Sequence, residues 1–163
     1  MKLKNKNLGF TLVELLVVIS IISILTIITA SSFVESQKKS RDSARKANLR
    51  SLADAVSLYY ADEGSFPGTV EITQLINSEG ELSSGDTIYM KKLPNDSKAG
   101  SGDHLQFKYI TGSSRSSFKV FANLENDQDS DCQTLCLEDE YNVTTGCCYV
   151  ITSSNIGVTE TLE

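Results

Sequence analysis

Tryptophan is absent from these 163 residues, histidine occurs once and proline only twice. A lone His104, in the loop-like stretch "AGSGDHLQ", cannot build a multi-histidine metal centre, and without a partner motif it reads as a bystander. No G-x-S-x-G, H-E-x-x-H or phosphate-cradling glycine loop occurs, so the chain is not read as an enzyme. Both prolines, Pro67 and Pro94, lie late in the chain, and no glycine falls between Phe10 and Glu63. Nothing in that stretch is placed to break a helix. Positive charge is also scarce, with 15 basic residues against 21 acidic ones and a net charge of −6. The only basic cluster after the N-terminus lies at residues 38–50, so nucleic acid is not expected as the main partner.

What the chain does have is a long apolar run. Leu15 to Val34 contains no charged residue. At about 1.5 Å per residue, a helix of that length spans roughly 30 Å, the thickness of a bilayer core. Lys2, Lys4 and Lys6 precede it, and Glu14 sits at its start. Without those lysines, 12 basic residues face 21 acidic ones, a net of −9. One reading is a secretory signal peptide, with "TASS" (Thr29 to Ser32) as a small-x-small cleavage site. The apolar run exceeds the usual ~7–15 residues of such a signal, however, and a signal peptide has no use for an embedded carboxylate.

The stretch "LGFTLVELLVVISII" resembles the class III leader of type IV pilins and type II secretion pseudopilins. The resemblance implies a basic leader, residues 1–9, cut between Gly9 and Phe10. Phe10 would become an N-methylated N-terminus, and 10–34 would remain as a transmembrane and filament-core helix. Glu14 falls five places into the mature chain, where the family uses a glutamate for filament assembly by pairing it with a neighbour's N-terminal amine. Such pairing relieves an otherwise costly buried charge only in the assembled state.

The helix should continue well past the membrane. Leu49, Leu52, Ala53, Val56, Tyr59 and Tyr60 recur with helical spacing, and Gly64 and Pro67 end the pattern. A single helix from Phe10 to near Asp62 is expected, its basic residues forming a solvated face. By the positive-inside rule, Lys38, Lys39, Arg41, Arg45, Lys46 and Arg50 would hold the following domain in the cytoplasm. The leader and the cysteines argue for the opposite side. "YYADEGSFP" resembles the major-pseudopilin pattern through Tyr59, Asp62, Gly64, Phe66 and Pro67, and "LPND" (Leu93 to Asp96) resembles its Leu-Pro-x-Asp segment.

Residues 35–163 read as a globular head that includes the rest of this helix. A short helix is expected over Val70–Asn77, a hairpin from "LQFKYI" and "SFKVFANL", and a third strand at "CCYVI". The fold class is α+β: a long helix packed on a small antiparallel sheet. Asp127, Asp129 and Asp131 alternate after the second hairpin strand, with Glu138 further on. That is oxygen-ligand spacing of the kind calcium loops use, and an acidic solvated loop is the other reading. Major pseudopilins hold calcium in the corresponding loop, so the resemblance implies calcium as the one cofactor. Cys132, Cys136, Cys147 and Cys148 form an even set that fits disulfides in an exported head better than zinc.

The reading is a structural subunit of a type IV pilus-like filament, first of all the major pseudopilin of a type II secretion system. A type IV pilus subunit for adhesion, motility or DNA uptake is the alternative within the class. A single-pass membrane-anchored binding protein is the alternative outside it. The resemblance implies further copies of the chain as partners in a helical homopolymer, with minor pilins or pseudopilins, a prepilin peptidase, an inner-membrane platform protein and an assembly ATPase. The chain would sit in the inner membrane with its head outside the cytoplasm. Intact-mass analysis of membrane-extracted protein should show loss of residues 1–9 and a methylated Phe10; a mature N-terminus near Ser31 would contradict this reading.

Overall fold

The computed structural model describes residues 9–96, 98, 106–133 and 147–153. Helix α1 runs from Leu12 to Glu63. With no proline or glycine to interrupt it, the hydrogen-bond ladder continues for 52 residues, about 78 Å at the standard rise. It stops at Gly64, whose φ of +70° suits a glycine, and the Gly64 N–H closes the last turn on the Tyr60 carbonyl at 2.8 Å. The chain forms two compact units, Met1–Gln37 and Lys38–Glu163, and α1 contributes to both.

In the first unit the described apolar side chains of α1 are exposed. Phe10 is 82% exposed, and from Leu12 to Ile27 the large apolar residues are 47–79% exposed. The helix is long and apolar enough to cross a membrane. Three of its hydroxyls are already satisfied: Ser20, Ser23 and Thr26 donate to the carbonyls of Leu16, Ile19 and Ile22 at 2.8, 2.7 and 2.8 Å. This back-bonding removes the cost of an unpaired hydroxyl in hydrocarbon.

The second unit is α+β. After α1 come α2 (Thr69–Ser78), a two-stranded hairpin of β1 (Leu82–Ser84) and β2 (Thr87–Met90), then β3 (Lys108–Thr111), β4 (Phe118–Leu124) and β5 (Cys147–Thr152). The last three form an antiparallel sheet in the order β3-β4-β5. Phe118, Val120, Ala122 and Leu124 are buried at alternate positions of β4, as a half-buried strand requires. They share one core with Leu49, Leu52 and Val56 of α1, Ile72 and Ile76 of α2, and Tyr109 of β3, Leu124 alone falling outside that cluster. Tyr60, expected on the core face, is instead 38% exposed and stacks on Phe66 at 4.3 Å. Lys119 is buried as well, which strand alternation did not anticipate.

The motif around the end of α1 carries the turn into the core. The buried Tyr109 hydroxyl donates to the Pro67 carbonyl at 3.1 Å, and Tyr89 donates to Asp62 at 3.0 Å. The β1–β2 hairpin turns at Gly85-Asp86, with Gly85 at φ +55°. The sequence reading missed this hairpin; Gly-Asp between "LSS" and "TIYM" was the available signal.

The basic face of α1 is not simply solvated, contrary to expectation. Arg45 is buried and its guanidinium meets Asp42 at 2.7 Å, Asp96 at 2.7 Å and Glu125 at 2.9 Å. Arg41 binds Glu125 in a fork at 2.8 and 2.6 Å, and Lys98 reaches it at 3.1 Å. Asp42 in turn accepts the backbone N–H groups of Glu125 and Asn126 at 2.9 Å. Three acids and three bases thus cancel in a shielded cluster where an unpaired charge would be costly. Arg41, then burial opposing it, then Lys98 and Arg45 leave the Glu125 carboxyl far below the ordinary carboxylate range. Burial alone would lower the Arg45 guanidinium, but its bonds to Asp96 and Asp42 outweigh it and raise it.

A depressed carboxyl contributes stability that is complete above the unfolded value of about 4.3 and is lost as pH falls toward the folded value. The melting temperature of the detergent-solubilised chain should therefore be flat from about pH 7 to 5 and fall below that. Glu125→Gln should lose roughly 3 kcal/mol at neutral pH and show a shallower acid limb. An acid limb as steep as in the wild type would contradict the assignment to Glu125.

Candidate functional site

The membrane-side end of α1 opens with Gly9, Phe10 and Thr11 in a non-helical conformation. Gly9 and Phe10 are exposed, and nothing lies within 4 Å of where a Gly9 side chain would be. The Gly9–Phe10 bond therefore stands free of the helix ladder.

Glu14 closes a capping box with Thr11. Its Oε2 accepts the Thr11 N–H and the Thr11 hydroxyl, both at 2.8 Å, and its own N–H donates to Thr11 Oγ1 at 3.2 Å. A helix start leaves its first N–H groups without partners, and this T-x-x-E pairing satisfies two of them. The carboxylate also sits at the positive end of the helix dipole. The sequence reading treated Glu14 only as an acid waiting for an intermolecular partner; "TLVE" was the legible sign that it has an intramolecular one. Within one chain the charge is held by the cap, and its exposed position leaves it open to an amine from outside.

The acidic loop lies after β4. Asp129 and Asp131 come together on the Lys46 ammonium, Asp131 at 2.8 Å. Burial would lower the Lys46 amine, yet its bonds to Asp129 and Asp131 leave it raised; the same bond to Lys46 lowers the Asp129 carboxyl. Asp127 is exposed, and among the described residues no group of three acid, imidazole or thiol side chains is placed to hold a metal ion. Two of the three expected calcium ligands are thus brought together, around an ammonium. Cys132 is bonded to Cys147, which ties the loop to β5, and Cys148 is also in a disulfide. Cys136, Glu138 and His104 lie outside the described residues.

An uncovered apolar helix end that opens on a capped carboxylate, in a chain that also carries an α+β head, defines a pilin-type membrane-anchored subunit. Residues 4–30 match the family described as Prokaryotic N-terminal methylation motif, and residues 32–133 match Type II secretion system (T2SS), protein G. The chain belongs to that protein G family, within the type IV pilin and pseudopilin group. It is also similar to the Type IV major pilin protein PilA of Myxococcus xanthus (strain DK1622), with 36% identity over 61 residues. That match covers 37% of this chain and 28% of the relative's length. No solved structure gives a significant match.

Removing the hydroxyl from the cap tests its role directly. Thr11→Val should cost the first turn of α1 about 1 kcal/mol, seen as roughly fivefold faster hydrogen exchange at the Val13 and Glu14 amides in micelles. Exchange at the β4 amides should not change. Unaltered exchange at the helix start would show that the cap does not hold it.

Proposed function

We infer that the chain is the major pseudopilin of a type II secretion system, a structural subunit whose polymerisation drives protein export. The observation that carries this reading is the apolar end of α1, which none of the described residues covers, opening on the Glu14 carboxylate. Lipid covers such a surface before assembly, and the same faces of neighbouring copies cover it afterwards. The protein G match over residues 32–133 favours the secretion filament within the wider group.

Processing at Gly9–Phe10 frees the Phe10 amine, and methylation leaves it charged. Glu14 of an incoming subunit then exchanges part of its cap for the amine of a neighbour. A prepilin peptidase, minor pseudopilins, an inner-membrane platform protein and an assembly ATPase are the partners this role requires. The subunit sits in the inner membrane with its head outside the cytoplasm. A pilus subunit for adhesion, motility or DNA uptake is the second reading, favoured by the similarity to the Myxococcus pilin. Export assays on a strain lacking the chain separate the two: lost secretion of other proteins marks the first, lost surface fibres with intact secretion the second.

Glu14→Gln keeps the shape of the cap and removes the charge. The variant should accumulate as a cleaved membrane protein while the yield of sheared filaments drops by more than about tenfold, since an unpaired amine would be buried at every contact. Normal filament yield would sink the amine-pairing account. A wild-type chain that never polymerises would leave a membrane-anchored binding protein as the reading.

A further inference from the structure

We propose that Lys46 is the resident cation of the acidic loop, so that the loop docks on α1 without calcium. Asp42, Lys46 and Arg50 are spaced four residues apart on α1, which places them along one face. Each holds a different part of the head. Asp42 accepts the N–H groups of Glu125 and Asn126 at the root of the loop, at 2.9 Å. Lys46 binds Asp129 and Asp131 at its tip. Arg50 donates to the Tyr149 hydroxyl at 3.2 Å, and Tyr149 sits on β5 under the Lys46 ammonium, 5.5 Å from ring centroid to nitrogen.

A calcium loop uses its ion for two purposes: to cancel carboxylate charge and to order a backbone that lacks regular structure. Both are already served here by side chains of the chain itself. The Lys46 ammonium cancels charge on Asp129 and Asp131. The backbone is ordered by Asp42 and by local turns: the Asp131 N–H donates to Asp129 Oδ1 at 2.9 Å and the Cys132 N–H to the Asp129 carbonyl at 3.1 Å. The Cys132–Cys147 disulfide closes the far end. A calcium ion takes six to eight oxygen ligands at about 2.3–2.6 Å. Among the described residues it would find at this point two carboxylates and an ammonium of its own sign. Lys46 is largely shielded, with a side-chain exposure of 14%, so it cannot simply swing into solvent without opening the contact.

The test compares melting of the oxidised, full-length protein in detergent with millimolar calcium chloride and with chelator. The wild-type curves should superimpose, whereas occupancy at about 100 times a dissociation constant would raise the midpoint by about 5 °C or more. Lys46→Met leaves two carboxylates facing each other without a counter-charge. It should melt several degrees below wild type in chelator and regain part of the loss in calcium, while Lys46→Arg keeps the wild-type behaviour. A calcium-dependent rise in the wild type overturns the proposal. So does a Lys46→Met protein that melts like the wild type in chelator.

Discussion

The structure depends first on the exposure of one end of α1, which no other described part of the chain covers. Fifteen large apolar side chains between Phe10 and Val34 are exposed. Covering each is worth at least about 1.5 kcal/mol, so together they outweigh the ~5–15 kcal/mol by which a typical domain is stable. A surface of that size cannot stay in water. In the proposed function it is covered by lipid or by other copies, and a chain that must exchange one cover for the other needs its polar groups satisfied in both. The back-bonded hydroxyls of Ser20, Ser23 and Thr26 meet that need within the helix itself. Glu14 meets it through the Thr11 cap, which keeps its charge hydrogen-bonded in the single chain.

In the second unit charge does what apolar burial does elsewhere. Arg41, Arg45, Lys46 and Arg50 all bind groups of the head, on β4's end, the Asp96 segment, the acidic loop and β5. Four of the six basic residues that the positive-inside rule counts thus have partners in the folded head, among them Glu125, Asp96, Asp129 and Asp131. Six of the twelve basic residues after Lys6 lie between Lys38 and Arg50, on the helix that the acidic loop grips.

Much of the fold could be read from local pattern. The helix ends within two residues of expectation, because uninterrupted periodicity and a terminal Gly64 are local signals. Strands β3, β4 and β5 lie where alternation placed them, apart from small shifts at their ends. The leader motif and the tyrosine-to-proline motif pointed to the family that the comparisons bear out. What escaped was non-local or doubly readable. Asp42 meets the backbone of residues 83 and 84 positions away, and no spacing rule links them. Lys46 looked like part of a solvated helix face, and Asp129 and Asp131 like metal ligands. In the structure each group is the other's partner. "TLVE" was open to view, but the search for an intermolecular role hid an intramolecular one.

The central claim is that the uncovered end of α1 is buried by copies of itself. Helical reconstruction from electron micrographs of detergent-free, shear-released filaments tests it most directly. The account predicts a filament whose axis is packed with residues 12–34 of successive subunits, with each Glu14 carboxylate within ion-pair distance of a neighbour's Phe10 amine. A filament with this segment on its outer surface, or one in which Glu14 faces no amine, would contradict it.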